Sequence, residues 1–291
     1  MKVHLVDATY ELFRNFFGHP PLANPQGVEV GAVHGLLGTL VRLVEREGAT
    51  HVACATDHVI ESFRNPLWPG YKTGEGIAPK LAAQFPLAEE GMRALGLVVW
   101  PMVEFEADDA LATAAARFAS APGVEQVVVC SVDKDLTQCV RGAKVVMWDR
   151  RREIVYDEPG VLGKFGVRPE QIPDWLGLVG DTADGLASVP GFGAKTAAAV
   201  LQRWGRLEEI PLDAAAWKGV PVRGAERLVK ALAEHRERAL LMKRLATLRL
   251  DVPLEESLEQ LEWRGAPREA FQAFCREHGF KRLAERPGKW Q

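Results

Sequence analysis

Residues 125–138 read EQVVVCSVDKDLTQ, and this stretch decides the fold. Runs of four to seven residues rich in Val and bounded by polar or turn residues read as buried strands, so Val127 to Cys130 predict one. The run opens directly into Ser131, Val132, Asp133, Lys134 and Asp135, so this strand ends in acids. The same arrangement recurs elsewhere in the chain. Val3 to Val6 end in Asp7, and Thr50 to Thr56 end in Asp57. Leu97 to Trp100 precede Glu106, Asp108 and Asp109. Between these runs, Val30, Val33, Leu37, Leu40, Val41 and Val44 recur at helical spacing, and Leu87, Met92 and Leu95 do so more loosely. Alternating β and α elements predict an α/β fold with a mainly parallel sheet covered by helices. Ligands bind such sheets beyond the carboxyl ends of the strands.

Each acid has two readings. An Asp after a strand serves as the N-cap of the next helix, and acids in a first helical turn, as in EADDALATAAARF, suit the helix dipole. The alternative is ligation of a cation. Asp181 and Asp184, in GDTADG, add a pair that shares one side if the turn is helical. With Asp7, Asp57, Asp108, Asp109, Asp133 and Asp135 they make eight of the chain's thirteen aspartates. Capping alone does not account for that concentration. Nine carboxylates, counting Glu106, raise one another's pKa unless cations compensate. An all-oxygen set with few nearby His or Cys suits Mg²⁺ or Mn²⁺ rather than zinc. Two such ions about 4 Å apart are a standard device for in-line phosphodiester hydrolysis.

The whole chain of 291 residues carries a net charge of −3, which taken alone speaks against a nucleic-acid partner. The halves differ. Residues 1–190 hold 17 Lys and Arg against 25 Asp and Glu, a net of −8, whereas residues 191–291 hold 19 against 14, a net of +5. The length predicts one large domain or two moderate ones. Cys54, Cys130, Cys139 and Cys275 lack paired CxxC spacing, which predicts reduced thiols and a cytoplasmic setting. No run of about 18 apolar residues suggests a membrane span, and MKVHLVDATYELF meets an acid too early for a signal peptide.

In the basic half, VPGFGAKTAAAVLQRWG sets two glycines before a predicted helix. Backbone N–H groups at Gly191, Gly193 and Ala194 can meet a phosphate at a helix start, with Lys195 adding charge and Thr196 a hydroxyl. A flexible helix start is the alternative. A Walker A loop is excluded because Ala194, not Gly, precedes Lys195. Arg223, Arg227 and Lys230 extend the basic surface or line a solvated helix face. Phe13, Phe16 and Phe17 near Arg14 are either core or a stacking platform for a displaced base.

Taken in order, VDA at Asp7, the strand ending in Asp57, SFR, YK, FEADD, SVDKDLTQ, GDTADG and VPGFGAKTA resemble the 5′-3′ exonuclease and flap endonuclease family over essentially the whole chain. The resemblance is greatest to the N-terminal nuclease domain of bacterial DNA polymerase I and its free-standing paralogues, and the absence of polymerase sequence after Gln291 points to a stand-alone nuclease. It implies a PIN-like α/β domain over 1–176, with a helical arch at about 58–85, and a helix-three-turn-helix DNA-binding region with C-terminal helices over 177–291. It also implies one metal site from Asp7, Asp57, Glu106 and Asp108 and a second from Asp133, Asp135, Asp181 and Asp184, with Asp109 between the two. Lys72, Arg14 and Arg64 fall at positions that serve the scissile phosphate. K⁺ at the Gly191–Thr196 module is a further implication. The implied partners are 5′-flapped, nicked or branched DNA, RNA primers and a DNA polymerase, with the chain itself a monomer.

The chain departs from the family pattern twice. Where YKxxR is usual it has Tyr71, Lys72, Thr73, Gly74 and Glu75, an anion for a cation, with Arg64 or Lys80 as the expected substitute. After Asp184, Gly185, Leu186, Ala187 and Ser188 replace the usual Asn and Pro-Gly pair. Two other readings share these features: a junction-binding paralogue of weak activity, suggested by Glu75, and a PIN-type ribonuclease, which shares the acid-rich edge but normally lacks the basic module.

Overall fold

The computed structural model describes residues 1–291. Six strands form one sheet: β1 (Lys2–Asp7), β2 (His51–Asp57), β3 (Val98–Met102), β4 (Gln126–Cys130), β5 (Val145–Asp149) and β6 (Ile154–Tyr156), in spatial order β3-β2-β1-β4-β5-β6. All neighbours run parallel except β6, which is antiparallel to β5. Strands β2 and β3 follow β1 in one direction and β4 and β5 lie in the other, so the order reverses between β1 and β4. That reversal opens a crevice at the carboxyl edge. Register puts Asp7 opposite Ala55 and Val6 opposite Cys130, which aligns the ends of β1, β2 and β4.

The pleat divides the strands between two cores. Val3, Leu5, Ala53, Ala55, Val127 and Val129 face one, while Val6, Val52, Cys54, Val128 and Cys130 face the other. The second core is covered by α1 (Ala8–Gly18), α2 (Gly31–Glu45), the single turn α3 (Pro79–Ala82) and α4 (Gln84–Ala94). Helices α1 and α2 approach so closely that a Cβ on Gly35 would stand 2.3 Å from Asn15 Oδ1. The first core is covered by α5 (Ala107–Ala119) and the helical region: α6 (Glu158–Phe165), α7 (Ile172–Val179), α8 (Ala194–Trp204) and α9 (Ala225–Ala246). A last helix, α10 (Arg268–Glu277), completes the fold.

The four strands read from the sequence are present; β5 and β6 are additional. Two further expectations need correction. Residues 58–78 of the expected helical arch contain turns and no helix, and they form a strap tied over the carboxyl edge. Trp68 Nε1 donates to Gly185 O (3.0 Å), Lys72 N donates to Asp184 O (3.1 Å), and Asn65 Nδ2 donates to Lys72 O (2.9 Å). Within the expected arch, helix is confined to α3 and the first turn of α4. The tail from 247 onward also does not stay with the helical region. Trp263 N donates to Thr50 O (2.7 Å), its indole N–H donates to Leu95 O (2.9 Å), and Phe271, Phe274 and Cys275 of α10 pack into the core beneath α2 and α4.

Candidate metal centre and nucleic-acid interface

Asp7 caps α1: its carboxylate accepts from Tyr10 N (2.8 Å) and from Ser131 Oγ (2.7 Å), so one residue ties β1 to the end of β4. Asp57 accepts from Ala107 N (2.7 Å), and its own N–H donates to Thr9 Oγ1 (2.8 Å). Glu106 caps α5 and is crowded with donors: Ser62 Oγ (2.6 Å), Arg64 Nη1 (3.1 Å), Tyr71 OH (3.2 Å) and Lys72 Nζ (2.8 Å). Asp108 lies in the first turn of the same helix.

A second group of acids gathers beside them. Asp133 accepts from Asp135 N (2.9 Å), which folds the DKD segment back on itself. Asp181 and Asp184 are brought together by a tight backbone turn, not a helical one: Asp181 and Leu186 exchange hydrogen bonds of 2.9 and 2.7 Å. Gly180 (φ 73°) and Gly185 (φ 71°) bracket this turn, and a Cβ on Gly185 would overlap Gly70 O of the strap. Asp135, Asp181 and Asp184 thereby bring carboxylate oxygens within 4.8 Å of one another. Two lysines border the cluster. Lys134 pairs with Asp181, and Lys72 Nζ lies 3.2 Å from Asp184 while also holding Glu106.

Burial and mutual repulsion set the protonation of these groups. Burial pushes Asp7 up to about 7, with the charges of Asp133 and Asp57 adding to the rise against the Tyr10 and Ser131 hydrogen bonds. Burial and then Asp133 push Asp108 well above the carboxylate range. Asp135 is raised in the same way by burial, then by Asp133, Asp184 and Asp181. Asp57 and Asp184 are also raised by burial, with Lys72 pulling the other way. Glu106 goes in the opposite direction: burial pushes it up, but Lys72 and Arg64 outweigh burial and hold it below its ordinary value. Among these acids, then, the one surrounded by cations is the one held low.

The donor set fits hard divalent cations. It is all oxygen, its members raise one another's pKa, and the buried Asp135 Oδ1 has no hydrogen-bond partner. An unpartnered buried carboxylate oxygen is costly unless a ligand meets it.

Three expected site residues lie elsewhere. Both oxygens of Asp109 are taken, by Arg64 Nη1 and Nη2 (2.7 Å each), Glu106 N (3.1 Å) and Arg249 N (2.9 Å). It completes the capping box of α5 and is fully buried, so it is not available to a metal. Arg64 is 1% exposed, its guanidinium spent on Asp109, Glu106 and Leu245 O (2.7 Å); it cannot reach a phosphate or substitute for the missing arch cation. Arg14 turns to Glu11 and Thr39, into a cleft that none of the acids lines. Lys80 and Glu75 are exposed on the strap side. The aromatic question divides: Phe13 packs edge-on against Phe85 (6.0 Å), whereas Phe17 is 75% exposed.

The basic module has the expected form. Gly191 adopts φ 86°, Gly193 is the N-cap of α8 with no side-chain cap, Gly191, Gly193, Ala194 and Lys195 are exposed, and Thr196 is half-buried. Sequence reasoning passed over Ser131, which anchors Asp7, the buried Tyr71 hydroxyl on Glu106, and Lys134 as the partner of Asp181. Their signal was adjacency, since Ser131 and Lys134 flank Asp133 and Tyr71 precedes Lys72.

Two family models cover this chain. Residues 2–166 match the 5′-3′ exonuclease N-terminal resolvase-like domain, and residues 167–269 match the 5′-3′ exonuclease C-terminal SAM fold. The chain is 37% identical over 290 residues to DNA polymerase I of Bacillus caldotenax, covering 98% of this chain and 32% of the polymerase. It thus spans about a third of the DNA polymerase I relatives it matches. A 5′-3′ exonuclease of Aquifex aeolicus is 32% identical over 209 residues, covering 72% of this chain and 71% of the relative. Among solved structures, bacteriophage T5 5′-exonuclease with bound divalent metal ions superposes with a TM-score of 0.68 at 18% identity, covering 98% of this chain and 100% of the other. A T5 flap endonuclease in complex with DNA and metal ions gives a TM-score of 0.66 at 18% identity, covering 98% and 100%. With an acid-lined carboxyl edge, a helical module behind it and both family halves in order, the chain belongs to the 5′-3′ exonuclease family.

Proposed function

We propose that the chain hydrolyses a phosphodiester next to the junction of branched, nicked or 5′-ended duplex DNA, leaving 5′-phosphate and 3′-hydroxyl ends. The observation that carries this is the convergence of Asp135, Asp181 and Asp184 oxygens within 4.8 Å, with Oδ1 of Asp135 itself buried and unpartnered. Asp7, Asp57, Glu106 and Asp108 would hold one Mg²⁺ or Mn²⁺, and Asp133, Asp135, Asp181 and Asp184 a second. When bound, such ions neutralise phosphate charge and lower the pKa of water.

The chain's own residues supply the rest. Ser131 and Tyr10 fix the orientation of Asp7, and Ala107 N–H fixes Asp57. Lys72, tethered between Glu106 and Asp184, would be the cation that meets the scissile phosphate. Gly191, Gly193, Ala194, Lys195 and Thr196 would grip a backbone phosphate of the duplex, with K⁺ as a candidate ion at that turn. The T5 structures with metal ions and with DNA support this reading by fold. Processing of RNA primers beside a DNA polymerase in the bacterial cytoplasm, as a monomer, is the setting we infer from the polymerase relatives.

A labelled 5′ flap, a nicked duplex and a single-stranded RNA, each with Mg²⁺ or chelator, test the proposal. Metal-dependent cleavage of the flap and nick is expected, with loss of cleavage but retained junction binding in Asp133→Asn and Asp181→Asn. Cleavage of RNA alone would point to a ribonuclease, and binding without cleavage to a junction-binding protein.

A further inference from the structure

A cleft of about 550 Å³ opens between α1, α2, the turn after β5 and the tail, and no hydrophobic side chain lines it. Its walls carry Arg14, Arg42, Arg150, Arg151 and Arg286, with Glu153 as the single lining carboxylate. None of the acids of the metal centre contributes to it. Glu11 and Glu47 stand behind the walls and pair with Arg14, Arg42 and Arg150. The ion pairs stop there: the exposed Arg151 and Arg286 have none. Burial, then His19 and Arg286, lower the pKa of His34 at the cleft's edge.

Arg150 is the unusual member. It is 7% exposed, held by Glu47 Oε2 (2.8 Å) and Thr39 O (3.2 Å), yet its buried Nη1 has no hydrogen-bond partner and lies 4.0 Å from Glu11 Oε1. A buried guanidinium donor left without an acceptor is costly, and a fork of donors matches phosphate oxygens. The absence of any apolar wall argues against a ligand held by base stacking. We propose that this cleft is a second, non-catalytic site for a phosphate-rich ligand of about nucleotide size, held by Arg150, Arg151 and Arg286. The ligand is either a stretch of nucleic-acid backbone or a free polyphosphate. Helix α1 carries Asp7 as its N-cap and Arg14 on the cleft wall, so a DNA strand held here would sit in fixed register with the acidic edge. Only that DNA arm rests on the proposed function; the phosphate site itself does not.

The test uses the full chain in chelator, with inorganic tripolyphosphate as the first probe and a nicked DNA duplex as the second. Arg151→Ala/Arg286→Ala removes two exposed, unpaired side chains and spares the folded core. Calorimetric titration is expected to show tripolyphosphate binding to the parent and a loss of about tenfold or more in the double variant, with no loss in Lys195→Ala. If the double variant also flattens the dependence of log K on log salt for the duplex by about 1 to 2, the ligand is DNA backbone. An unchanged salt slope with lost tripolyphosphate binding identifies free polyphosphate. Equal tripolyphosphate binding by parent and double variant, or none by the parent, overturns the site. Because no arm measures cleavage, failure of the hydrolysis reading shows separately, in the flap assay.

Discussion

Two acids at the carboxyl edge, Glu106 and Asp135, differ in what neutralises them. Around Glu106 the chain supplies its own counter-charge: Arg64, Lys72, Ser62 and Tyr71 all donate to one carboxylate, which is held below its ordinary pKa. Around Asp135 it supplies Lys134 alone, and burial with three neighbouring aspartates outweighs that charge and raises the carboxyl well above its ordinary value. Glu106 is completed by protein donors, whereas Asp135 keeps a buried oxygen without a partner, the neighbouring Lys134 and Lys72 being paired with Asp181 and Asp184.

The largest effect should come from breaking the donor-filled side. Arg64→Met strands Asp109 and Glu106 without their buried partner, and a loss of about 3 to 5 kcal/mol is expected in denaturant unfolding. A stability equal to the parent would show that Arg64 does not hold this side together. On the other side, Asp135→Asn should lower flap cleavage by roughly 10² to 10³ while raising the melting temperature in chelator, because it relieves repulsion instead of breaking a bond. A melting temperature that falls would erase the contrast between the groups.

The pH dependence sharpens the same contrast. Asp7 titrates near 7 in the fold against an ordinary 3.8. A carboxyl raised on folding contributes stability that is complete below its unfolded pKa and lost as pH rises through the folded one. Chelated protein should therefore lose stability between about pH 4 and 7, and Mg²⁺ should flatten that slope in thermal melts. A slope indifferent to Mg²⁺ would detach Asp7 from cation binding. Smaller still, Tyr71→Phe removes one buried donor from Glu106 at a cost of about 1 kcal/mol. Glu75→Arg should raise the cleavage rate about two- to tenfold at low salt, since Glu75 is exposed and repels phosphate; an unchanged or lower rate would show that the anion is no handicap.

Much of this was legible in the chain. Strands that end in acids are local signals, and the βα alternation fixed which edge they share. The pair Asp181 and Asp184 was legible as a pair, but its geometry was not, because the turn depends on positive φ at Gly180 and Gly185 and on the strap that closes over Gly185. Asp109 shows the converse. It reads as one more acid in EADD, yet its partners, Arg64 and Arg249, come from 45 and 140 residues away. Nothing within the motif separates a capping acid from a ligating one. The same holds for Arg64, whose burial is decided by Leu245 at the end of α9. Short strands such as β6, half exposed at the sheet edge, offer too little apolar pattern to be read.

The tail that returns to Thr50 and Leu95 bears on how the molecule is made. A ribosome releases β1, α1, α2 and β2 long before Trp263, Phe271 and Phe274, which fill the core beneath α2 and α4. Until those aromatics emerge, the nascent sheet has one face with an unfilled hollow, so its closure waits on contacts more than 150 residues apart in sequence. Completion of that face of the sheet therefore requires the C-terminal aromatics, a non-local demand of the kind that slows folding.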